Sequence, residues 1–211
     1  LTTAADIQRV LGLPADIFKP SEGNYEEDII TEEDIPHLLA DPDIDINDIF
    51  DEVDYEFFEE PEYRDIYLVK LRGYYNLLRG RKLLSENKWF LFIHNRFTNG
   101  WCMVEVAFDE YTLINTEGKL ISNDTYEWVG RVNEGCAVVE KDLGYNLLKT
   151  DGTYVLNQWV DFLGRMRNGW STIKHNKKKN YINITGELMF GDDINLEINK
   201  GFFDGYAVVK M

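Results

Sequence analysis

The sequence predicts a mainly β protein: four antiparallel repeats of about 35 residues, preceded by an acidic, partly helical arm. Three observations predict it. Glycines recur at Gly100, Gly135, Gly169 and Gly205, spaced 35, 34 and 36 residues apart, in NGWCMVEV, EGCAVVEK, NGWSTIKH and DGYAVVKM. A second anchor, at Asn76, Thr112, Asn146 and Asn180 within YNLL, YTLI, YNLL and NYIN, keeps spacings of 36, 34 and 34. The charge is also divided. Residues 1–66 hold 21 Asp or Glu against only Arg9, Lys19 and Arg64, a net −18, whereas residues 67–211 hold 17 acidic and 19 basic residues, a net +2.

Within the body, residues 67–211, the repeats run over about 70–106, 107–141, 142–175 and 176–211. Each alternates Tyr, Val, Ile, Leu or Trp with polar residues, the period of a strand with one face in the core. Asn-Gly and Asp-Gly suit the positive-φ turns that join antiparallel strands. A further turn glycine, at Gly118, Gly152 and Gly186 in TEGKLI, TDGTYVL and TGELMF, predicts a hairpin about a Thr-x-Gly or Thr-Gly turn. Apolar residues, Phe97, Val132, Met166 and Phe202, stand three positions before the first set of glycines. A unit this small cannot bury its apolar face alone, so neighbours must stack, as a solenoid or as propeller blades.

The order strand, Thr-x-Gly turn, aromatic segment and apolar-x-x-Gly-apolar-Ala-x-Val resembles the WG-repeat (KWG-repeat) family over about residues 70–211. NEGCAVVE and FDGYAVVK fit best. The first copy departs, with an early turn glycine at Gly80 and a longer stretch over 81–97, and the order Gly-Trp replaces Trp-Gly at 100–101 and 169–170. The resemblance implies an all-β repeat array of the kind found in bacterial and viral proteins, with no catalytic residues to transfer.

In the arm, residues 1–66, Thr3 can cap a short helix presenting Ile7, Val10 and Leu11 and stopping at Gly12. Around Pro36 a helix must start near Asp34, with the proline in its first turn. In IDINDIFDEVDYEFFEE (44–60), Ile46, Ile49, Phe50, Val53 and Phe57 form one apolar stripe on an acidic helix. Such a stripe requires a covering surface, on this body or on another protein.

The chemistry of the chain excludes more than it offers. A formal charge of −16 argues against a dedicated nucleic-acid binder. Two Cys form neither a disulfide framework nor a four-thiolate zinc site. No apolar run reaches the length of a membrane span. Asp41, Asp43, Asp45, Asn47 and Glu52 sit at positions 1, 3, 5, 7 and 12 of an EF-hand-like calcium loop, but Ile46 replaces the turn glycine. Helix caps and a solvated acidic face are the favoured account of these residues. His37, His94 and His175 are far apart, and Cys102 and Cys136 fall on opposite strand faces. Trp89, Trp101, Trp128, Trp159 and Trp170 read mainly as packing between stacked units, with a sugar platform as the alternative. Lys177, Lys178 and Lys179 read as a hairpin tip.

No cofactor or enzymatic activity is expected. The leading expectation is a protein-protein interaction or assembly module whose acidic arm docks on a partner, or on a neighbouring subunit, with a basic and apolar surface. Alternatives are a structural component of a virus or phage particle, an acidic nucleic-acid mimic and a carbohydrate-binding repeat protein. No membrane partner is expected. Leu1 opens no charged-then-apolar leader, and the cytoplasm or a virus particle is favoured as the location, with a removed leader left open.

Overall fold

The computed structural model describes residues 30–191 apart from 59 and 87, together with 197–198, 206 and 209–210. Helices α1 (Ile35–Ala40) and α2 (Ile46–Ile49) lead into a first antiparallel sheet of β1 (Glu52–Asp54), β2 (Ile66–Leu71), β3 (Tyr74–Arg79) and β4 (Lys82–Leu83). Three meanders follow, each of one short and two long strands. They are β5 (Phe92–Ile93), β6 (Trp101–Ala107) and β7 (Glu110–Asn115); β8 (Trp128–Val129), β9 (Cys136–Lys141) and β10 (Gly144–Lys149); β11 (Phe162–Leu163), β12 (Trp170–His175) and β13 (Lys178–Asn183). Strands β14 (Glu197–Ile198) and β15 (Val209–Lys210) pair beyond them. The protein is mainly β and built from antiparallel sheets of three to four strands, as the sequence predicts.

Each short strand turns into its long partner at a glycine read from the sequence. Asn99–Gly100, Glu134–Gly135 and Asn168–Gly169 all have positive φ at both residues, the geometry that matches the twist of the flanking strands. The two long strands are joined at 108–109, 142–143 and 176–177, tips that contain no glycine and so left no signal. Asp109, Asp142, Leu143, Asn176 and Lys177 supply the left-handed backbone there. The Thr-x-Gly turns close only one residue pair each, Ile114 with Leu120, Leu148 with Tyr154 and Ile182 with Leu188. The predicted hairpin at these turns is therefore a single bridge. The returning segment leaves the strand after that bridge and rejoins the same strand near its start, as Val160 pairs with Tyr145 of β10.

The core lies between consecutive sheets. One cluster joins Leu68 and Leu77 of the first sheet to Val104 and Ile114 of the second; the next joins Leu113 to Val139 and Leu148; the third joins Val138 and Leu147 to Ile173 and Ile182. Neighbouring residues such as Leu113 and Ile114 serve opposite clusters, so the long strands are buried on both faces. Cys102 and Cys136 follow this rule, facing the preceding and the following interface respectively. The apolar residues Phe97, Val132 and Met166 are buried; Phe202 lies outside the described residues.

The second anchor organises the loops. Asn146 is buried, donates from Nδ2 to the Leu156 and Gln158 carbonyls, and accepts from the Leu147 and Leu156 backbone N–H groups. Asn76 and Asn180 repeat the pattern of donation to a downstream loop and acceptance from the next residue. Thr112 at the same place is buried, and its hydroxyl has no partner among the described residues.

The Thr-x-Gly turns also bring backbones together. A Cβ on Gly118 would lie 1.8 Å from the Leu84 carbonyl oxygen, one on Gly152 2.6 Å from that of Ile121, and one on Gly186 3.2 Å from that of Val155. Each turn thus rests on the main chain of the preceding repeat.

Between 30 and 66 the expectations divide. Helix α1 begins beside Asp34 with the proline in its first turn, as predicted. The 44–60 segment is not one helix. Only Ile46–Ile49 is helical; Phe50 is extended and β1 adds to the edge of β2. The i, i+3, i+4 stripe is shared between a single turn and a strand because β-sheet edge pairing outcompetes an acidic helix whose like charges repel. The boundary expected at 66/67 falls at the start of β2, and the Thr3 helix lies outside the described residues.

Candidate functional site

The five stripe residues are covered by this chain. Ile49 and Phe50 are buried, with Ile46 and Val53 packed beside them, in a cluster with Val69, Leu78 and Leu83 of the first sheet. Phe57 packs instead on the cluster between the first and second sheets. Arg81 fastens the segment: its guanidinium donates to the carbonyls of Leu38, Leu39, Asp41 and Ile44 at 2.7–3.3 Å.

That same loop carried the calcium candidates, and the structure does not bring their side chains together. Asp41 accepts from the Asp43 backbone N–H, Asp45 caps α2 through the Asn47 N–H and side-chain amide, and Glu52 lies in β1, 3.8 Å from Lys70. The hydrogen bonds from Asn47 hold the Asp45 carboxyl below its usual range. The carbonyls of this loop converge on a guanidinium, while the Asp41 and Asp45 carboxylates accept from backbone N–H groups within it. Among the described residues no group of three or more His, Cys, Asp or Glu is placed to hold a metal ion. No described helix is long and apolar enough to cross a membrane.

The turn glycines Gly100, Gly118, Gly135, Gly152, Gly169 and Gly186 all take positive φ, between +79° and +88°; Gly205 lies outside the described residues. Their part is structural.

A surface feature emerges that the sequence reading passed over. Phe92, Trp128 and Phe162 open β5, β8 and β11, 36 and 34 residues apart, and remain 47%, 48% and 48% exposed. They lie opposite Glu105, Glu140 and Lys174 on the long strands. Tyr75, Tyr111 and Tyr145, on β3, β7 and β10, pair with Lys70, Glu105 and Glu140 and stand 36 and 34 residues apart. The rings of Tyr145 and Phe162 lie 6.3 Å apart, and the Lys70 ammonium sits 5.6 Å from the centre of the Tyr75 ring. The hydrogen bond to Glu140, with burial, raises the Tyr145 hydroxyl above its ordinary pKa. Burial, then Glu105 and Asp109, does the same for Tyr111.

These residues stand within a few positions of the hairpin tips, and the tips add Phe108 and Leu143, 83% and 86% exposed. One edge of the array therefore carries a row of uncovered apolar side chains, interleaved with Glu105, Asp109, Glu127, Glu140 and Asp142. At its ends the tips become basic, with Arg72 at one and Lys177 at the other. Of the tryptophans, Trp101 and Trp159 pack against the interface between the second and third sheets, and Trp89 against Phe50. Trp128 is the exposed tryptophan among the described residues. The signal was available in the sequence: the aromatics keep the repeat period, but glycine and asparagine anchors drew the alignment away from them.

No protein-family model matches the chain, and no curated protein matches it. Two solved structures to which it is similar are the WD40 β-propeller domain of Doa1 and BamB from Moraxella catarrhalis. The first match has 13% identity, a TM-score of 0.31, and covers 60% of this chain and 50% of that chain. The second has 12% identity, a TM-score of 0.31, and covers 60% and 45%. The chain thus spans about half the length of these structures.

Proposed function

We propose that the protein is a non-catalytic interaction module whose hairpin-tip edge receives a basic and apolar segment of a partner protein. The observation that supports this reading is the row Phe92, Trp128 and Phe162, held half-exposed at one repeat position while Ile93, Val129 and Leu163, the next residues along the same strands, are buried. Aromatic side chains supply large contact area at low entropic cost, and their faces attract Lys and Arg. The carboxylates beside them select the same cations and disfavour an acidic partner. The net −18 of residues 1–66 adds a long-range field that accelerates encounter with a basic protein. On this reading the arm attracts the partner, while the repeat edge holds it. The motif resemblance to WG-repeat arrays agrees with such a role, as it transfers no catalytic residues.

The test is peptide display against the full chain. Enriched sequences are expected to interleave Lys or Arg with aromatic or aliphatic residues, and Phe92→Ser/Trp128→Ser/Phe162→Ser is expected to weaken the best binder at least about tenfold. Because all three positions are already half-exposed, the variant is expected to keep its melting temperature within a few degrees. Enrichment of acidic peptides, or unchanged affinity in the folded triple variant, would refute the reading. Binding of neutral oligosaccharides on the same three residues would transfer the face to carbohydrate recognition.

A further inference from the structure

Cross-strand pairing lines up one residue from each of three strands in every sheet, on one face and close to the hairpin tip. In the first sheet the three are Glu52, Lys70 and Tyr75. In the second they are Phe92, Glu105 and Tyr111, and in the third Trp128, Glu140 and Tyr145. The fourth has Phe162, Lys174 and Lys179. The tyrosine is constant through three sheets, while the residue beside it changes sign.

The first sheet shows what that change does. The Lys70 ammonium sits 5.6 Å from the centre of the Tyr75 ring and 3.8 Å from the Glu52 carboxylate, so a cation of the chain itself rests on the ring with an acid next to it. Tyr111 and Tyr145 hold the same station. Each is half-buried and packs on the interface to the following sheet, as Tyr75 does. Beside them the lysine has become a glutamate, and the acid of the outer strand has become Phe92 or Trp128. Ring and carboxylate are both in place without a cation between them: among the described residues neither Glu105 nor Glu140 has an ion-pair partner. Glu105 accepts from the Asp109 N–H and Glu140 from the Tyr145 hydroxyl, and each carboxylate keeps lone pairs for a further donor.

The two open places are one sheet apart. The cluster of Leu113, Val139 and Leu148 joins their sheets, and sheets packed face to face stand about 10 Å apart. Lys70 in the first sheet and Lys174 in the fourth put a positive charge at the matching position on either side. A pair of cations is therefore drawn to the middle two sheets and repelled at both ends.

We propose that Tyr111 with Glu105, and Tyr145 with Glu140, are two seats for Lys or Arg side chains of a partner segment, about 10 Å apart, and that Lys70 fills the corresponding seat of the first sheet from within. This rests on the reading that the hairpin-tip edge receives a basic segment, and names the groups that read the charge and its spacing.

The test titrates proline rulers into the full chain, because polyproline advances about 3.1 Å per residue. One ruler carries two lysines three residues apart, about 9 Å, and the other two lysines nine residues apart, about 28 Å. The close pair is expected to bind about tenfold more tightly, since it alone engages both seats at once. Glu105→Lys/Glu140→Lys, which reproduces the arrangement of the first sheet, is expected to remove that preference, and Glu105→Gln/Glu140→Gln does the same if the lysine variant fails to fold. Glu117→Lys/Glu187→Lys makes an equal change of charge at the Thr-x-Gly turns, at the other end of the long strands, and is expected to preserve it. In the opposite direction, Glu52→Phe/Lys70→Glu copies the second sheet into the first. A three-lysine ruler of the close pitch is expected to gain about tenfold on this variant, and the two-lysine ruler no more than about twofold. Equal affinity of the two rulers, a preference that survives in the folded Glu105 and Glu140 variants, its loss in the Glu117 and Glu187 control, or no gain by the three-lysine ruler would each overturn the proposal. If so, and Phe92→Ser/Trp128→Ser/Phe162→Ser still weakens the display-selected peptide, the seats are wrong and the interaction edge stands; if that variant is silent too, both fail.

Discussion

Asn146 and Thr112 occupy the same place in successive repeats, and only one of them is satisfied. Asn146→Leu strips partners from the buried Leu147 N–H and from the loop at Leu156 and Gln158, and is expected to cost about 2–4 kcal/mol in denaturant unfolding. Thr112→Val removes a hydroxyl that bonds to nothing described, and is expected to stay within about 0.5 kcal/mol of the parent or to stabilise it. A large loss in the threonine variant would contradict this account. The turn glycines separate in the same way. At Gly100 a side chain meets open space and pays only for its backbone angle, whereas at Gly118 it collides with the Leu84 carbonyl. Gly100→Ala is expected to cost about 1–2 kcal/mol, and Gly118→Ala clearly more, by the same measurement. Burial pushes the Cys102 thiol up to about 12 and Cys136 up to about 11, from an ordinary 9.0. As pH rises past 9 the unfolded chain therefore releases these protons first, so stability is intact below pH 9 and falls between 9 and 12. The fall is expected to be shallower in Cys102→Ala/Cys136→Ala than in the parent; parallel melting curves against pH would rule the thiols out as its cause. The asparagine and glycine anchors were legible as a period. Their tasks were not, because a hydrogen bond to a loop ten residues away and a contact to the previous repeat leave no local mark.

At the scale of elements, the segment 30–66 shows where pattern reading gives way to competition. The apolar spacing of Ile46, Ile49, Phe50, Val53 and Phe57 fits a helix, yet the unpaired edge of β2 offers hydrogen bonds, and Val53 takes its place in β1 opposite Val69. Sequence periodicity cannot register an edge that forms later in the chain. Arg81 then holds α1 and the loop that follows it by four carbonyls. Arg81→Met is expected to destabilise this segment by about 2–3 kcal/mol, visible as faster amide exchange over 35–54 with the later repeats unchanged. Uniform acceleration through all four sheets would show instead that the segment and the array unfold as one. The long-strand tips were hidden for a different reason: Asp142 and Leu143 adopt the left-handed backbone without glycine, so no turn signature preceded them.

Across the whole molecule, the repeat period foretold the architecture because each sheet needs its neighbour to bury a face, and that need is written into composition and spacing together. The exposed aromatic edge was written there too, on a phase that core-directed reading discards. Charge acts at this scale as well. Residues 1–66 hold 21 carboxylates against three basic residues, and their mutual repulsion opposes the compact state. Raising sodium chloride from about 10 to 200 mM is expected to raise the melting temperature by a few degrees, most of the gain falling within the first 100 mM as the Debye length shrinks to about 10 Å. A lower melting temperature in salt would mean that ion pairs such as Arg79–Asp65 outweigh the repulsion. The glycine turns that rest on the preceding main chain have a last consequence. They act as spacers between floors, so that floor height is set by peptide against peptide and not by the furniture between. A tyrosine pair, Tyr126 and Tyr154, can then give way to valine and leucine, Val160 and Leu188, in the next storey without the building settling.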